Sequence, residues 1–207
     1  MGRVEEILRV FEEMYPSADC ELDYTNSLEL IVAVMLSAQT TDKSVNILTK
    51  NLFKKYKTVD DYANADLADL QNDLKRIGLY KNKAKNVIKM AQILNEKFNG
   101  RVPSSQVELE SLPGVGRKTA NVVLSVWYNI PRIAVDTHVN RVSKRLKLAY
   151  QNDSVYQVEE KLMRKIPKNK WSKTHHQMIF FGRYHCTARN PHCENCKLKE
   201  LCRYPHI

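Results

Sequence analysis

The run Leu112-Pro113-Gly114-Val115-Gly116-Arg117-Lys118-Thr119-Ala120 decides how the rest of this 207-residue chain is read. A proline and two glycines within four positions mark a tight turn. The residues after it, Asn121-Val122-Val123-Leu124-Ser125-Val126-Trp127, are apolar enough for a central, buried helix. Glycine lets the backbone take positive φ and lets an oxygen approach closely. A turn that empties into a helix start presents free amides and the positive end of a dipole, and both favour an anion. With Arg117 alongside, the natural ligand is a nucleic-acid phosphate, gripped without base readout. A bare Gly-x-Gly would read as a helix-helix turn that merely needs glycine. The length and setting of this run carry more.

Lys118 falls in the first turn of the helix that follows. It lies near the positive end of a dipole, beside Arg117, where partial desolvation is expected. All three effects favour the neutral amine, which is a nucleophile able to form a Schiff base with a sugar aldehyde carbon. The plainer reading is a lysine that ion-pairs with phosphate, and spacing alone does not separate the two. Further on, Asp136 follows the apolar Ile133-Ala134-Val135 and precedes Thr137-His138-Val139. Aspartate is a strong N-cap, which suffices to explain it. The functional reading is a carboxylate held by helix-start amides, able to stabilise positive charge on a sugar ring and to help activate the nucleophile. Lys118 and Asp136 are expected to face one cleft and act on DNA. His138 could contact phosphate, although capping or packing explains it as well. His175 and His176 lack further ligands at metal spacing and read as structural.

Outward from this centre, the chain carries 33 Lys and Arg against 23 Asp and Glu, a net charge of +10 that suits a polyanionic partner. A hydrophobic share of 43% argues against wholesale disorder. The longest apolar run, Leu30 to Leu36, is too short to span a bilayer, and Met1 to Glu6 shows neither a signal-peptide core nor a myristoylation pattern. Helical spacing recurs throughout and no convincing alternating strand occurs, so the class is all-α. Helices are expected over 4–14, from a cap at Ser27, from a cap at Asp42 through about Tyr56, over 81–98, after a Ser105-x-x-Glu108 capping box, over 137–148, after Ser154-x-x-Gln157, and over 169–184. The acidic segment with Asp60, Asp61, Asp66 and Asp69 has no assigned element. Gly78-Leu79-Tyr80-Lys81-x-x-Ala84 echoes Gly114-Val115-Gly116-Arg117-x-x-Ala120, a match short enough to arise by chance.

Four of the five cysteines crowd into Cys186-x6-Cys193-x2-Cys196-x5-Cys202, and Cys20 stands alone. Crowding points to a metal site in a reducing compartment rather than a disulfide framework. Four sulfurs suit tetrahedral zinc or an iron–sulfur cluster, and the uneven gaps suit a chain wound around the larger cubane better. Arg183, Arg189, Lys197, Lys199 and Arg203 stud this segment and could present cations to phosphate. In either case the metal reads as a structural clamp, not a catalyst.

These residues together resemble the endonuclease III family, the bifunctional DNA glycosylases and abasic-site lyases of base-excision repair. The resemblance is carried by Leu112 to Ala120, by Val135-Asp136-Thr137-His138, by Leu36-Ser37-Ala38-Gln39-Thr40-Thr41-Asp42, by Ile77-Gly78-Leu79-Tyr80 and by the four-cysteine spacing. It implies a two-lobed helix-hairpin-helix fold with a DNA cleft between the lobes. One lobe would be a six-helix barrel over residues 20–131 containing the hairpin. The other would be a discontinuous domain of residues 1–19 plus 132–207 holding a [4Fe–4S] cluster on Cys186, Cys193, Cys196 and Cys202. It makes Lys118 the nucleophile and Asp136 its carboxylate partner. Gln39 and Leu79 become loop residues that fill the space left by an extruded base, and Gly114, Val115, Gly116, Thr119 and His138 become DNA contacts. The implied substrates are oxidised or ring-saturated pyrimidines and abasic sites in double-stranded DNA, with cleavage 3′ to the lesion by β-elimination. The implied state is a monomer, cytoplasmic and DNA-associated, without a membrane. An adenine-specific mismatch glycosylase is opposed by the lysine at 118 and by the five residues after Cys202. A non-catalytic hairpin protein is opposed by the presence of both Lys118 and Asp136.

Overall fold

Residues 2–202 and Tyr204 are described by a computed structural model, and every regular element among them is helical. In chain order these are α1 (Arg3–Met14), α2 (Ser27–Leu36), α3 (Asp42–Lys55), α4 (Val59–Ala63), α5 (Leu67–Leu74), α6 (Tyr80–Phe98), α7 (Gln106–Glu110), α8 (Arg117–Val126), α9 (Thr137–Arg145), α10 (Val155–Lys165) and α11 (Trp171–Tyr184). Short 3-10 turns at Lys168–Lys170 and Lys199–Leu201 complete the set. None of the described helices is long and apolar enough to cross a membrane.

Several helix ends differ from the sequence expectation, at α2 and α3 because a neighbouring side chain makes the cap. Asn26, not Ser27, accepts from the Glu29 amide and opens α2. Thr41, not Asp42, accepts from the Ser44 amide and opens α3, which stops one residue short of Tyr56. Ser105 precedes α7 but its hydroxyl makes no cap bond there. Ser154 does form the expected capping box with Gln157. The acidic segment is not irregular: Thr58 and Asp61 form a capping box for α4, and Asp66 caps α5. Its aspartates are helix starters, which composition hides when each helix is only a turn or two long. Helix α9 ends at Arg145, earlier than Leu148, and α11 begins at Trp171 after the 3-10 turn, not at Asn169.

The chain divides into two compact units, Glu21–Asn129 and the pair Met1–Cys20 with Ile130–Ile207. The first carries α2 to α8. Its centre is α2, in which Leu28 and Leu30 to Leu36 are all buried. A helix apolar on every side must be enclosed, and α8 packs along it with Ala120 to Ser125 also buried. Helices α4 and α5 close on α6, and the rings of Tyr56 and Tyr62 stack with centroids 5.0 Å apart. The second unit carries α1, α9, α10 and α11. Ile7, Phe11, Val139, Val142, Leu162, Met178 and Phe181 form its core, with the Phe11 and Phe181 rings 5.4 Å apart. The histidine pair His175 and His176 is buried in this unit.

Candidate active site and metal centre

The turn that precedes α8 is pinned from below and open above. Leu112 and Val115 are buried, and the Val115 amide donates to the Leu112 carbonyl at 3.0 Å. Gly114 and Gly116 are exposed. Gly114 has φ +78°, where a Cβ would meet Asn86 and Met35 at 2.9 Å, so this position requires glycine twice over. Gly116 is different. Its backbone is extended, φ −91° and ψ 176°, and a Cβ there would meet nothing within 4 Å. Conformation does not demand glycine at 116. Gly116 opens α8 without a side chain to cap it, and a helix start of this kind suits an external anion. Val115 is buried and its amide is committed to the turn itself. Arg117 lies 3.8 Å from Glu110, so the cation beside the turn is shared with a carboxylate.

Lys118 occupies the first turn of α8, half-buried, and among the described residues no hydrogen bond or ion pair holds its ammonium. Thr119, half-buried, sits one residue on. In the same unit, Gln39 and Leu79 are exposed and both have left-handed backbone, φ 55° and 59°. Non-glycine residues accept this conformation only where surrounding structure holds it. The sequence echo between the Gly78 and Gly114 turns does not extend to the backbone. The left-handed residue is Leu79 in one and Gly114 in the other, one position out of step.

Asp136 opens α9, in the other unit. Its Oδ1 accepts from the Val139 amide at 2.7 Å, behind the buried Ile133, Ala134 and Val135. The capping role is therefore real, and it uses one carboxylate oxygen. His138 is half-buried, its Nδ1 lies 3.2 Å from Arg141 Nη2, and its Cβ stands where a side chain on Gly182 would have to go. The histidine packs α9 against α11.

The four cysteines come together although no helix orders most of their segment. Cys186, Cys193, Cys196 and Cys202 line one hollow with Phe181, His185 and Leu198. None is in a disulfide. Among the described residues no three Cys, His, Asp or Glu side chains converge as ligands of a single ion. Four thiols around one hollow are the donor set that an iron–sulfur cluster takes. Burial pushes the Cys196 thiol up; a backbone hydrogen bond at Leu198 opposes this, while Cys186, Cys202 and Cys193 push the same way as burial. A cationic iron core relieves that repulsion.

Two arginines from α9, neither singled out in the sequence, hold the chain around Cys186, and Arg145 also lines the hollow. Arg145, 8% exposed, donates to Cys186 Sγ at 3.2 Å, to the Thr187 carbonyl at 2.7 Å and to the Ala188 carbonyl at 3.0 Å. Arg141 donates to the carbonyls of Gly182 and Cys186. Their signal was faint: charges four apart on a helix whose neighbours Val139, Val142 and Leu146 are core. Lys197, read as a cation for phosphate, is bound to Glu13 of α1, and Arg203 lies outside the described residues.

Residues 32–168 match the family model of the HhH-GPD superfamily of base excision DNA repair proteins, and residues 186–202 match the iron–sulfur binding domain of endonuclease III. Endonuclease III of Bacillus subtilis (strain 168) is 56% identical over 203 residues, covering 98% of this chain and 93% of that protein. The chain belongs to the endonuclease III family. Two solved endonuclease III structures superpose on it, one a trapped covalent intermediate with DNA (TM-score 0.94, 54% identity, covering 98% of this chain and 97% of that one) and one a non-covalent complex with DNA (TM-score 0.95, 53% identity, 98% and 96%). As an endonuclease III, this chain is a DNA-binding base-excision repair glycosylase and abasic-site lyase with a [4Fe–4S] cluster. The cysteine-lined hollow fits that cluster, which, when bound, clamps the segment 186–202 that has little regular structure of its own.

Proposed function

We propose that Lys118 is the nucleophile of this repair enzyme and Asp136 its carboxylate partner. The observation that carries the first assignment is the Lys118 ammonium in the first turn of α8, half-buried and with no partner among the described residues. A lysine kept to neutralise a carboxylate would have one. The turn at Gly114 to Gly116 takes a backbone phosphate on its amides, Thr119 and His138 add contacts, and Gln39 and Leu79 occupy the gap left by an extruded nucleotide. Turning out a damaged base costs less than turning out an intact one, which suits oxidised or ring-saturated pyrimidines.

In the reaction, the Lys118 amine attacks C1′ of the deoxyribose. The C1′–N bond breaks and the base leaves with a proton. Ring opening gives a protonated Schiff base, which acidifies C2′. Loss of a C2′ proton expels the 3′ phosphate by β-elimination. Asp136 stabilises the positive charge on the sugar and takes up a proton as the amine becomes a nucleophile. The cysteine-bound segment shapes the second unit and takes no part in these steps. Residues 20–131 and 1–19 plus 132–207 are the two functional domains of a protein that works as a cytoplasmic, DNA-associated monomer.

Borohydride reduction should trap the protein covalently on duplex DNA carrying an oxidised pyrimidine, and Lys118→Gln should not trap. Normal trapping by that variant would overturn the nucleophile assignment.

A further inference from the structure

Lys83 has no part in the chemistry so far described, and it is the one lysine of the α6 face that is buried, at 6% exposure. Its ammonium donates to the Leu36 carbonyl at 2.9 Å, to the Ala38 carbonyl at 2.7 Å and to Thr40 Oγ1 at 3.0 Å. Those three acceptors bracket Gln39. Its backbone amide donates to the Leu79 carbonyl at 3.0 Å. One residue therefore holds both exposed, left-handed residues, Gln39 by its side chain and Leu79 by its backbone. Gly78 lies against the same junction, its Cβ position 3.8 Å from the Gln39 carbonyl oxygen, an ordinary contact distance.

The chemistry of the contact suits a fixed joint. A three-donor ammonium satisfied by three acceptors has no spare valence, and no carboxylate among the described residues shares it. Burial pushes this lysine below the usual lysine range. Holding a lysine there costs desolvation. The ammonium caps one carbonyl of α2, that of Leu36, while the Ser37 amide and hydroxyl serve Ala33 and Val34; its other two bonds lie beyond the helix. What the ammonium adds is the position of the Ala38–Thr40 segment.

We propose that Lys83 is a positioning residue that locks the Gln39 loop to the start of α6, so that Gln39 and Leu79 enter the DNA stack as a single rigid wedge. This rests on the reading of those two residues as fillers of the space left by the extruded nucleotide. A wedge works only if it is stiff, since a displacement of about 1 Å in a positioning element can lower a rate by roughly a hundredfold.

The test compares Lys83→Met and Thr40→Val with Gln39→Ala/Leu79→Ala on two substrates: duplex DNA with an oxidised pyrimidine, and single-stranded DNA with an abasic site, which has no stack to fill. Lys83→Met should slow single-turnover cleavage of the duplex about tenfold or more while leaving the single strand within about twofold. Thr40→Val, which removes one acceptor without entering the core, should show the same selective loss, smaller in size. In the Gln39→Ala/Leu79→Ala background Lys83→Met should add nothing, because it acts through those residues. Equal slowing on both substrates, additive losses, or a fully active Thr40→Val paired with an unfolded Lys83→Met would each overturn the proposal. If Gln39→Ala/Leu79→Ala itself processes the duplex normally, the wedge reading has failed rather than the joint.

Discussion

Adding one methyl group at Gly114 and one at Gly116 should separate stability from DNA binding, although the two glycines lie only two positions apart. At Gly114 the backbone has φ +78°, and the new Cβ would stand 2.9 Å from Asn86 Cβ, Asn86 Nδ2 and Met35 Cε. The left-handed conformation costs an L-residue about 1–2 kcal/mol, and overpacking against two neighbours adds about 1–3 kcal/mol. Gly114→Ala should therefore lose about 2–5 kcal/mol, a large share of the roughly 5–15 kcal/mol typical of a domain. At Gly116 the backbone is extended and the Cβ meets nothing within 4 Å. Alanine is a poorer N-cap than glycine but restricts the unfolded chain, and these effects nearly cancel, leaving about 0.5 kcal/mol or less. The methyl group would instead stand where a phosphate must approach the α8 amides. Losing one charge-assisted hydrogen bond, about 1.5–3 kcal/mol, weakens binding roughly ten- to a hundredfold. Guanidinium unfolding gives the first quantity and titration of fluorescent duplex at several salt concentrations the second. The salt slope should be unchanged in Gly116→Ala, since amides displace no counterion-releasing cation. Tight binding by Gly116→Ala, or a stable Gly114→Ala, would refute the reasoning.

Asp136→Asn should keep the α9 cap, because asparagine caps as well as aspartate, yet lose most turnover; Asp136→Ala should lose turnover and about 1 kcal/mol of stability besides. Full turnover in the asparagine variant would leave Asp136 as a cap alone. Purified protein should be brown and contain iron and acid-labile sulfide, and Cys196→Ser should not; a colourless protein with one zinc would exclude the cluster. Arg145→Met frees Thr187 and Ala188 and removes a donor to Cys186, so chelator should strip iron from it faster than from the unmodified protein, and an unchanged rate would deny Arg145 that role. The Lys161 ammonium, through a side-chain hydrogen bond, holds the Asp153 carboxyl below the usual aspartate range. A depressed carboxyl contributes stability above its unfolded pKa, about 3.9, and loses it as pH falls through the folded value. Asp153→Asn should thus flatten the acid limb of the stability profile, and an unaltered limb would show that the ion pair contributes nothing.

Much of the molecule is legible in the sequence, because its signals are local. The 3.6-residue period gave the long helices, and the Ser154 capping box formed as written. The turn at 113–116 announced a helix start with free amides. The cysteine spacing favoured a cluster over a single ion. Short helices were the weak point: α4 and α5 are too brief for periodicity to show, and at α2 and α3 the capping group moved by one residue.

Sequence by itself determined the helical class, the hairpin at Gly114, the candidate nucleophile and the four thiolates, since each is written within some twenty residues and obeys local rules of turn, cap and period. Tertiary structure alone decided what Lys83, Arg141, Arg145 and Gly182 are for. Lys83 reaches carbonyls more than forty positions away, Arg145 holds a segment as distant on the other side, and Gly182 is small because His138, Arg141 and Val142 stand against it. A charge in a helical pattern reads as solvated face until folding shows which acceptors surround it, and a glycine reads as a break until folding shows what it lets approach.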